Sequence, residues 1–178
     1  MKTRILTAFL AVVGLYSADA VLAGPDYNSG IGMGHAAAHE AFNPLADQVR
    51  AANDRFSDVA VARSEGYSPI PCVSGADGGA MGIHFVSQSA IEDGLVDIAK
   101  PEAVMYEPQP DGSMQLVAVE YITTKGPANL GGHLFSFTNS PNRYGLPPFY
   151  ELHVWAWRHN PTGTFSDMNP EVSCAAAQ

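Results

Sequence analysis

Long apolar segments are absent from this 178-residue sequence after its N-terminal region, so no later part is predicted to cross a bilayer. Basic residues are also few: nine lysines and arginines accompany eighteen aspartates and glutamates, for a net charge of −9. The basic residues form no run, which argues against nucleic acid and anionic membranes because both need clustered positive charge. A small molecule is the class of partner that these features leave open.

Several sequence motifs of catalysis are missing as well. The chain has no GxSxG, no GxGxxG, no GK[ST] phosphate loop, no HExxH, no HxH and no EF-hand loop. Serine hydrolases and nucleotide-dependent enzymes are therefore disfavoured. His35 and His39 would share a helix face, but Glu40 follows the second histidine, and a solvated helix start is favoured over a metal site there.

The N-terminus has the three parts of a secretory signal. Residues 1–4 are basic, residues 5–16 form an apolar run too short to span a bilayer, and small residues end at Ala20 or Ala23. We predict a signal peptide over residues 1–23, cleaved after Ala23, and a periplasmic or secreted location.

Only two cysteines are present, Cys72 and Cys174, and they do not form a CxxC motif. An even pair in an oxidising compartment predicts a disulfide. Closing a loop of about 100 residues would stabilise the fold by up to about 4–5 kcal/mol through chain entropy.

The remaining chain is the length of one domain, 43–178, preceded by a glycine-rich segment, 24–42, which predicts a flexible lead-in. Asn43 and Pro44 predict a helix start, with a possible break near Phe56. The helical stripe that follows, ending before Gly66, comprises Leu45, Val49, Ala52, Phe56, Val59 and Arg63.

Beyond residue 73 the sequence predicts strands. The four strands are 80–86, 103–107, 115–122 and 149–158. The order of helices followed by strands predicts an α+β fold, with an N-terminal helical region packed on a curved antiparallel β-sheet. The proline- and glycine-rich segment 126–148 is long enough to predict a functional loop or one that covers a site.

The predicted second and third strands would form a hairpin around Asp111-Gly112. A two-residue turn there places Glu107 opposite Leu116 and Ala103 opposite Glu120. The core-facing positions would then be Val104, Tyr106, Val117, Val119 and Tyr121.

The last predicted strand separates into two faces by its period of two. One face is apolar and predicts core residues, namely Tyr150, Leu152, Val154 and Ala156. The other is mixed and resembles the wall of a pocket, with Glu151, His153, Trp155, Trp157 and His159.

A divalent metal site is the sharpest hypothesis from these strands. His84 and Glu120 lie within apolar strand sequence, where an unpaired polar group is costly. With His153, and His133 as a fourth ligand, they would suit zinc, copper, iron or manganese. Glu151 could act as a proton acceptor in a small metalloenzyme.

Other interpretations remain for the same residues. Strand histidines are often ordinary core residues, and Glu120 could instead pair with Arg143 or Arg158. A non-enzymatic binding module would hold a small apolar or aromatic ligand in a pocket formed by Trp155, Trp157 and Tyr121. A structural envelope protein without a pocket is the third interpretation.

The sequence also resembles a family of exported, uncharacterised bacterial proteins over residues 45–174. The resemblance is carried by GAMGIHFV, PEAVMYEP, LVAVEYI and FYELHVWAWRHNPTGTFSDMNPEVSC. It implies export and no particular activity. The domain is similar by analogy to a cupin, a small metal-holding β-barrel, although the HxH…E motif of cupins is absent.

Overall fold

The structure is a computed structural model that describes residues 43–75 and 78–177. The predicted signal peptide, 1–23, and lead-in, 24–42, with His35 and His39, lie outside the described residues.

The helical region begins where the sequence predicts. The Asn43 side chain accepts hydrogen bonds from the backbone N–H groups of Leu45 and Ala46, and Asp58 caps the second helix through the N–H of Ala60. The elements are α1 (Pro44–Asn53), a 3₁₀ turn (Asp54–Ser57), α2 (Val59–Ser64) and α3 (Gln88–Asp93). The predicted break near Phe56 is confirmed, whereas α3 was not predicted.

The strands form one main antiparallel sheet in the order β1-β3-β4-β5-β9-β8, with β2 also paired to β3 and β6–β7 a separate pair. Their bounds are β1 (Ser68–Pro69), β2 (Val73–Ser74), β3 (Ala80–Val86), β4 (Ala103–Pro108), β5 (Met114–Thr123), β6 (Asn129–Leu130), β7 (His133–Leu134), β8 (Ser136–Thr138) and β9 (Phe149–Val154). The predicted α+β class with an antiparallel sheet is confirmed.

The predicted register of the β4–β5 hairpin is correct at one end and wrong at the other. Ala103 does pair with Glu120, but Glu107 pairs with Gln115 rather than Leu116. Gln109 and Ser113 close a longer turn in which Gly112 has φ of 83°, so the pairing shifts by one residue. A bulge near Val117 restores the register.

The last strand is shorter than predicted. It ends at Val154 because Trp155 next hydrogen-bonds through its backbone N–H to Thr164, and Trp157 to Val117. The alternation therefore fails beyond the strand: Trp157 packs with the helix-side core, and His159 is exposed.

Two apolar clusters cover the two faces of the sheet. The helix-side cluster includes Leu45, Val49, Phe56, Phe85, Val104, Tyr106, Val119, Tyr121, Leu152 and Val154. The opposite cluster includes Ala80, Met81, Met105, Val117, Ala118, Trp155 and Val172. Val117 thus faces away from the helices, contrary to its predicted position, because of the bulge.

A disulfide joins Cys72 to Cys174, whose Cα atoms are 5.9 Å apart, and this prediction is confirmed. The bond ties the C-terminal segment to the residue before β2. Cys174 packs against the opposite cluster. Within the described residues, helices of the length and apolarity needed to cross a membrane are not found.

Candidate metal centre

A buried polar cluster lies on the sheet face opposite α1. Glu120 on β5 pairs directly with His153 on β9, while His84 on β3 reaches the same place across β4. Ala103 is the residue of β4 that pairs with Glu120. Its small side chain leaves space above β4 for the longer side chains from β3 and β5. The strand order thus brings together three polar residues that are far apart in sequence.

The three side chains converge on one carboxylate oxygen. His84 Nε2 lies 3.4 Å from Glu120 Oε2, and His153 Nε2 lies 3.6 Å from the same atom. The two imidazole rings are 6.3 Å apart between centroids. All three side chains are at most 1% exposed.

These separations fit the coordination shell of a transition metal. An ion that binds nitrogen and oxygen at about 2.0–2.1 Å in tetrahedral geometry separates neighbouring ligands by about 3.3–3.4 Å. The His84 to Glu120 distance matches this edge, and the His153 to Glu120 distance exceeds it only slightly. These residues are one of two described groups whose ligand atoms lie within 4.8 Å of one another.

His84 is the most deeply buried histidine of the cluster. Its side chain is fully buried, and the only hydrogen bond indicated for the ring among the described residues is with the backbone of Gly82, so at least one ring nitrogen is left without a partner. A buried polar group without a partner carries a substantial desolvation cost. An ion bound at Nε2 would remove that cost on one side of the ring.

Arg143 enters the cluster from the segment 139–148, which lies between β8 and β9. One of its terminal nitrogens lies 2.6 Å from Glu120 Oε1 and 2.5 Å from Glu151 Oε2. The same nitrogen is 3.4 Å from His153 Nε2. The predicted alternative that Glu120 pairs with Arg143 is therefore present, while Arg158 pairs with Glu107.

The two oxygens of Glu120 have different partners. Oε1 faces Arg143, whereas Oε2 accepts a hydrogen bond from the Tyr144 hydroxyl and faces both imidazoles. One carboxylate can therefore pair with a fixed cation and still offer an oxygen to an ion. Glu151 is held in turn by Arg143 and by a hydrogen bond from Thr138.

The outer nitrogen of His153 faces a third carboxylate. His153 Nδ1 lies 3.3 Å from Asp167 Oδ1, and this proximity lowers the pKa of Asp167. A carboxylate in this place orients an imidazole ligand and makes its other nitrogen a better donor. Asp167 belongs to the second described group that could hold a metal, with Glu151 and His153.

Burial sets the charge states of the central residues. It lowers the pKa of His84 well below its usual value, and the nearby Arg143 charge adds to this, so the imidazole is neutral and able to ligate. Burial also raises the pKa of Glu120 well above its usual value, more strongly than Arg143 lowers it.

Glu151 has the opposite character. Burial works to raise its pKa, but Glu120, His153 and Arg143 together lower it to about 2. A carboxylate this acidic is a weak base at neutral pH. The geometry favours Glu151 as the anchor of Arg143 over the proton acceptor expected from the sequence.

The remaining predicted site residues lie elsewhere. His133 on β7 stacks on Phe165 at 4.0 Å between ring centroids and is in neither described metal-holding group. Tyr121 lies in the helix-side core, where Trp157 also packs, whereas Trp155 belongs to the opposite cluster. The sheet separates Trp155 from Tyr121 and Trp157, so the structure does not bring the three predicted pocket residues together.

Several site residues escaped prediction from the sequence. Tyr144 and Asp167 lie in irregular segments, where no periodicity indicates a direction for the side chain. For Tyr144, the signal was the length of the segment 126–148, which predicted a functional or covering loop, and residues 139–148 do contact the cluster.

Comparison with known proteins gives no guide to the role of this cluster: no family model, curated protein or solved structure matches the chain.

Proposed function

We propose that this chain is an exported metal-binding domain that holds one divalent transition metal ion through His84, Glu120 and His153. The observation that carries the proposal is the fully buried His84. At least one of its ring nitrogens has no hydrogen-bond partner among the described residues, and the ring faces a carboxylate and a second imidazole. Two imidazoles and a carboxylate suit zinc, copper, iron or manganese.

The protein ligands leave part of the coordination shell open. Three ligands are typical of catalytic rather than structural zinc sites, where a further position takes water or substrate. Such an ion supplies Lewis acidity or an activated water. Tyr144 and Arg143 would orient what binds there, because both already contact Glu120. A small metalloenzyme is therefore the finer form of the proposal.

Metal content is the direct test. Protein purified from its native compartment should contain about one equivalent of zinc, copper, iron or manganese by elemental analysis. His84→Ala and His153→Ala should each lose it, since a two-ligand site binds far more weakly. X-ray absorption should give nitrogen and oxygen neighbours at about 2.0–2.2 Å.

Two further variants make that result interpretable. His159→Ala removes an exposed histidine and should keep the metal. Glu120→Gln is nearly isosteric and separates loss of a ligand from loss of fold, which circular dichroism would monitor. A wild-type protein that stays metal-free after incubation with each of the four ions would rule the site out.

Export is supported by the N-terminal sequence and by the disulfide, which persists in oxidising compartments. In a bacterial host, the full-length chain should appear outside the cytoplasm with a mass that corresponds to a start at Gly24. Replacing Leu10 with Arg within the apolar run should block this processing. A chain that keeps Met1 and stays in the cytoplasm would contradict export.

A further inference from the structure

Tyr144 belongs to two features at once. Its hydroxyl donates to Glu120 Oε2, and its ring lies 5.9 Å from that of His84 between centroids. The same residue lines a cavity of about 220 Å³. The metal cluster and the cavity therefore share one side chain as a common wall.

The cavity is open to solvent on one side and is bordered by separate elements of the fold. Its walls come from β1 and the residues around it, the end of β3, α3 and the segment 139–148. Val86 lines the cavity two residues after His84 on the same strand, so the two side chains point to the same face of the sheet. This places the cavity directly beside the cluster.

The lining indicates the class of ligand. Ile70, Val86, Ile91 and Leu146 supply apolar surface, with polar groups at Ser68 and Gln88. An apolar cavity of about 150 Å³ can hold benzene. A cavity of about 220 Å³ therefore has room for one ring with a small substituent.

We infer that this cavity binds a small, mainly apolar ligand of about one ring, with its oxygen substituent directed toward Tyr144 and the metal. The assignment of the ligand to the metal centre rests on the proposed function, whereas occupancy of the cavity does not. Apolar walls favour the ring by removing it from water. The oxygen substituent is assigned to the side of Tyr144 because this lining residue also contacts the cluster.

Phenol is a suitable probe ligand. Its binding can be monitored by the methyl NMR signals of the protein, with and without zinc. The methyl groups of Ile70, Ile91 and Leu146 should shift saturably, while those of Leu95, which is exposed and outside this cavity, should not. Zinc loading should change phenol affinity by about threefold or more, because Tyr144 contacts both the cavity and Glu120 and so couples the two sites.

Two variants fill the cavity from different sides. Val86→Phe and Leu146→Trp should each weaken phenol binding by about tenfold or more, since added volume excludes the ring. Leu134→Phe, at an exposed position away from the cavity, is the matched control. Zinc content should be unchanged in all three variants.

The outcomes distinguish this inference from the proposed function. Absence of saturable shifts, or equal phenol affinity in the filled variants, would overturn the cavity assignment. Equal affinity with and without bound zinc would overturn its assignment to the metal centre. Phenol binding by a protein that never takes up zinc would leave the cavity as a ligand site and remove the metal proposal.

Discussion

Replacing Arg143 with methionine should destabilise the metal-free protein by about 3–5 kcal/mol, because it leaves buried carboxylates without their cation. Glu120 is fully buried and the Glu151 side chain only 3% exposed, while Arg143 bridges both. The loss should shrink in acid, where the carboxyl groups are protonated. Chemical denaturation at several pH values measures it.

The same substitution should strengthen metal binding. Arg143 and a bound ion would each take one oxygen of Glu120, and two neighbouring cations repel each other. Zinc at about 100 times its dissociation constant adds about 2.7 kcal/mol to the free energy of unfolding. At the same zinc concentration, zinc should therefore increase the free energy of unfolding of Arg143→Met by more than that of wild type.

Arg158→Met provides the matched control. Arg158 also pairs with a glutamate at 2.6 Å, but its side chain is 28% exposed and lies outside the cluster. Its loss should cost about 0–1 kcal/mol, as for a surface pair, and leave the zinc effect unchanged. An equal zinc effect in Arg143→Met and wild type would show that the guanidinium and the ion do not share Glu120.

Glu102→Gln should remove a large pH dependence from the free energy of unfolding. Glu102 is fully buried. Its Oε2 accepts a hydrogen bond from the N–H of Ile122, and Oε1 has no side-chain or backbone partner within hydrogen-bonding geometry in the part of the chain that the structure describes. Burial raises the pKa of Glu102 to about 8, although the hydrogen bond from Ile122 opposes the shift. Its carboxyl group is therefore protonated in the fold at pH values where the unfolded chain has lost that proton.

The direction of the pH dependence follows from this difference between the folded and unfolded pKa of Glu102. Because the folded pKa is the higher one, the contribution of Glu102 is complete below about pH 4.5 and is lost as pH rises to about 8. At about 1.36 kcal/mol for each pKa unit, the loss across this window is about 4–5 kcal/mol. The amide in Glu102→Gln cannot ionise. Over this pH window, the free energy of unfolding of the variant should therefore rise relative to that of wild type by this amount.

Urea denaturation from pH 4 to 9 would measure both curves. Glu92→Gln, at an exposed position of α3, is the control and should follow the wild-type curve. Parallel curves for wild type and Glu102→Gln would mean that Glu102 ionises in the folded protein as readily as in the unfolded chain.

Local sequence patterns predicted the N-terminal helical region and the four longest strands, but not α3 or the short strands β1, β2, β6, β7 and β8. Asn43-Pro44 marked the start of α1, and residues 80–86 were predicted as the strand that became β3. Caps and alternation of apolar residues act between neighbours along the chain, so they can be interpreted without tertiary contacts. The errors came where a local bulge or an early strand end broke the period, at Val117 and Trp157.

Only part of the candidate site was predictable. His84, Glu120 and His153 were identified because polar residues stood within apolar strands, and the sheet order places them together. Arg143 appeared only as one possible partner of Glu120. Tyr144, Asp167 and the buried Glu102 had no periodic signal.

The sequence by itself determined the α+β class, the cysteine pair and which strand residues were unusually polar. The tertiary structure decided that β4 separates β3 from β5 with a small Ala103, that the sheet divides Tyr121 from Trp155, and that Arg143 and Tyr144 fold onto Glu120. The physical reason is the distance along the chain over which each effect acts. A strand sets the direction of its own side chains, whereas strand order and loop paths depend on burial across the whole domain.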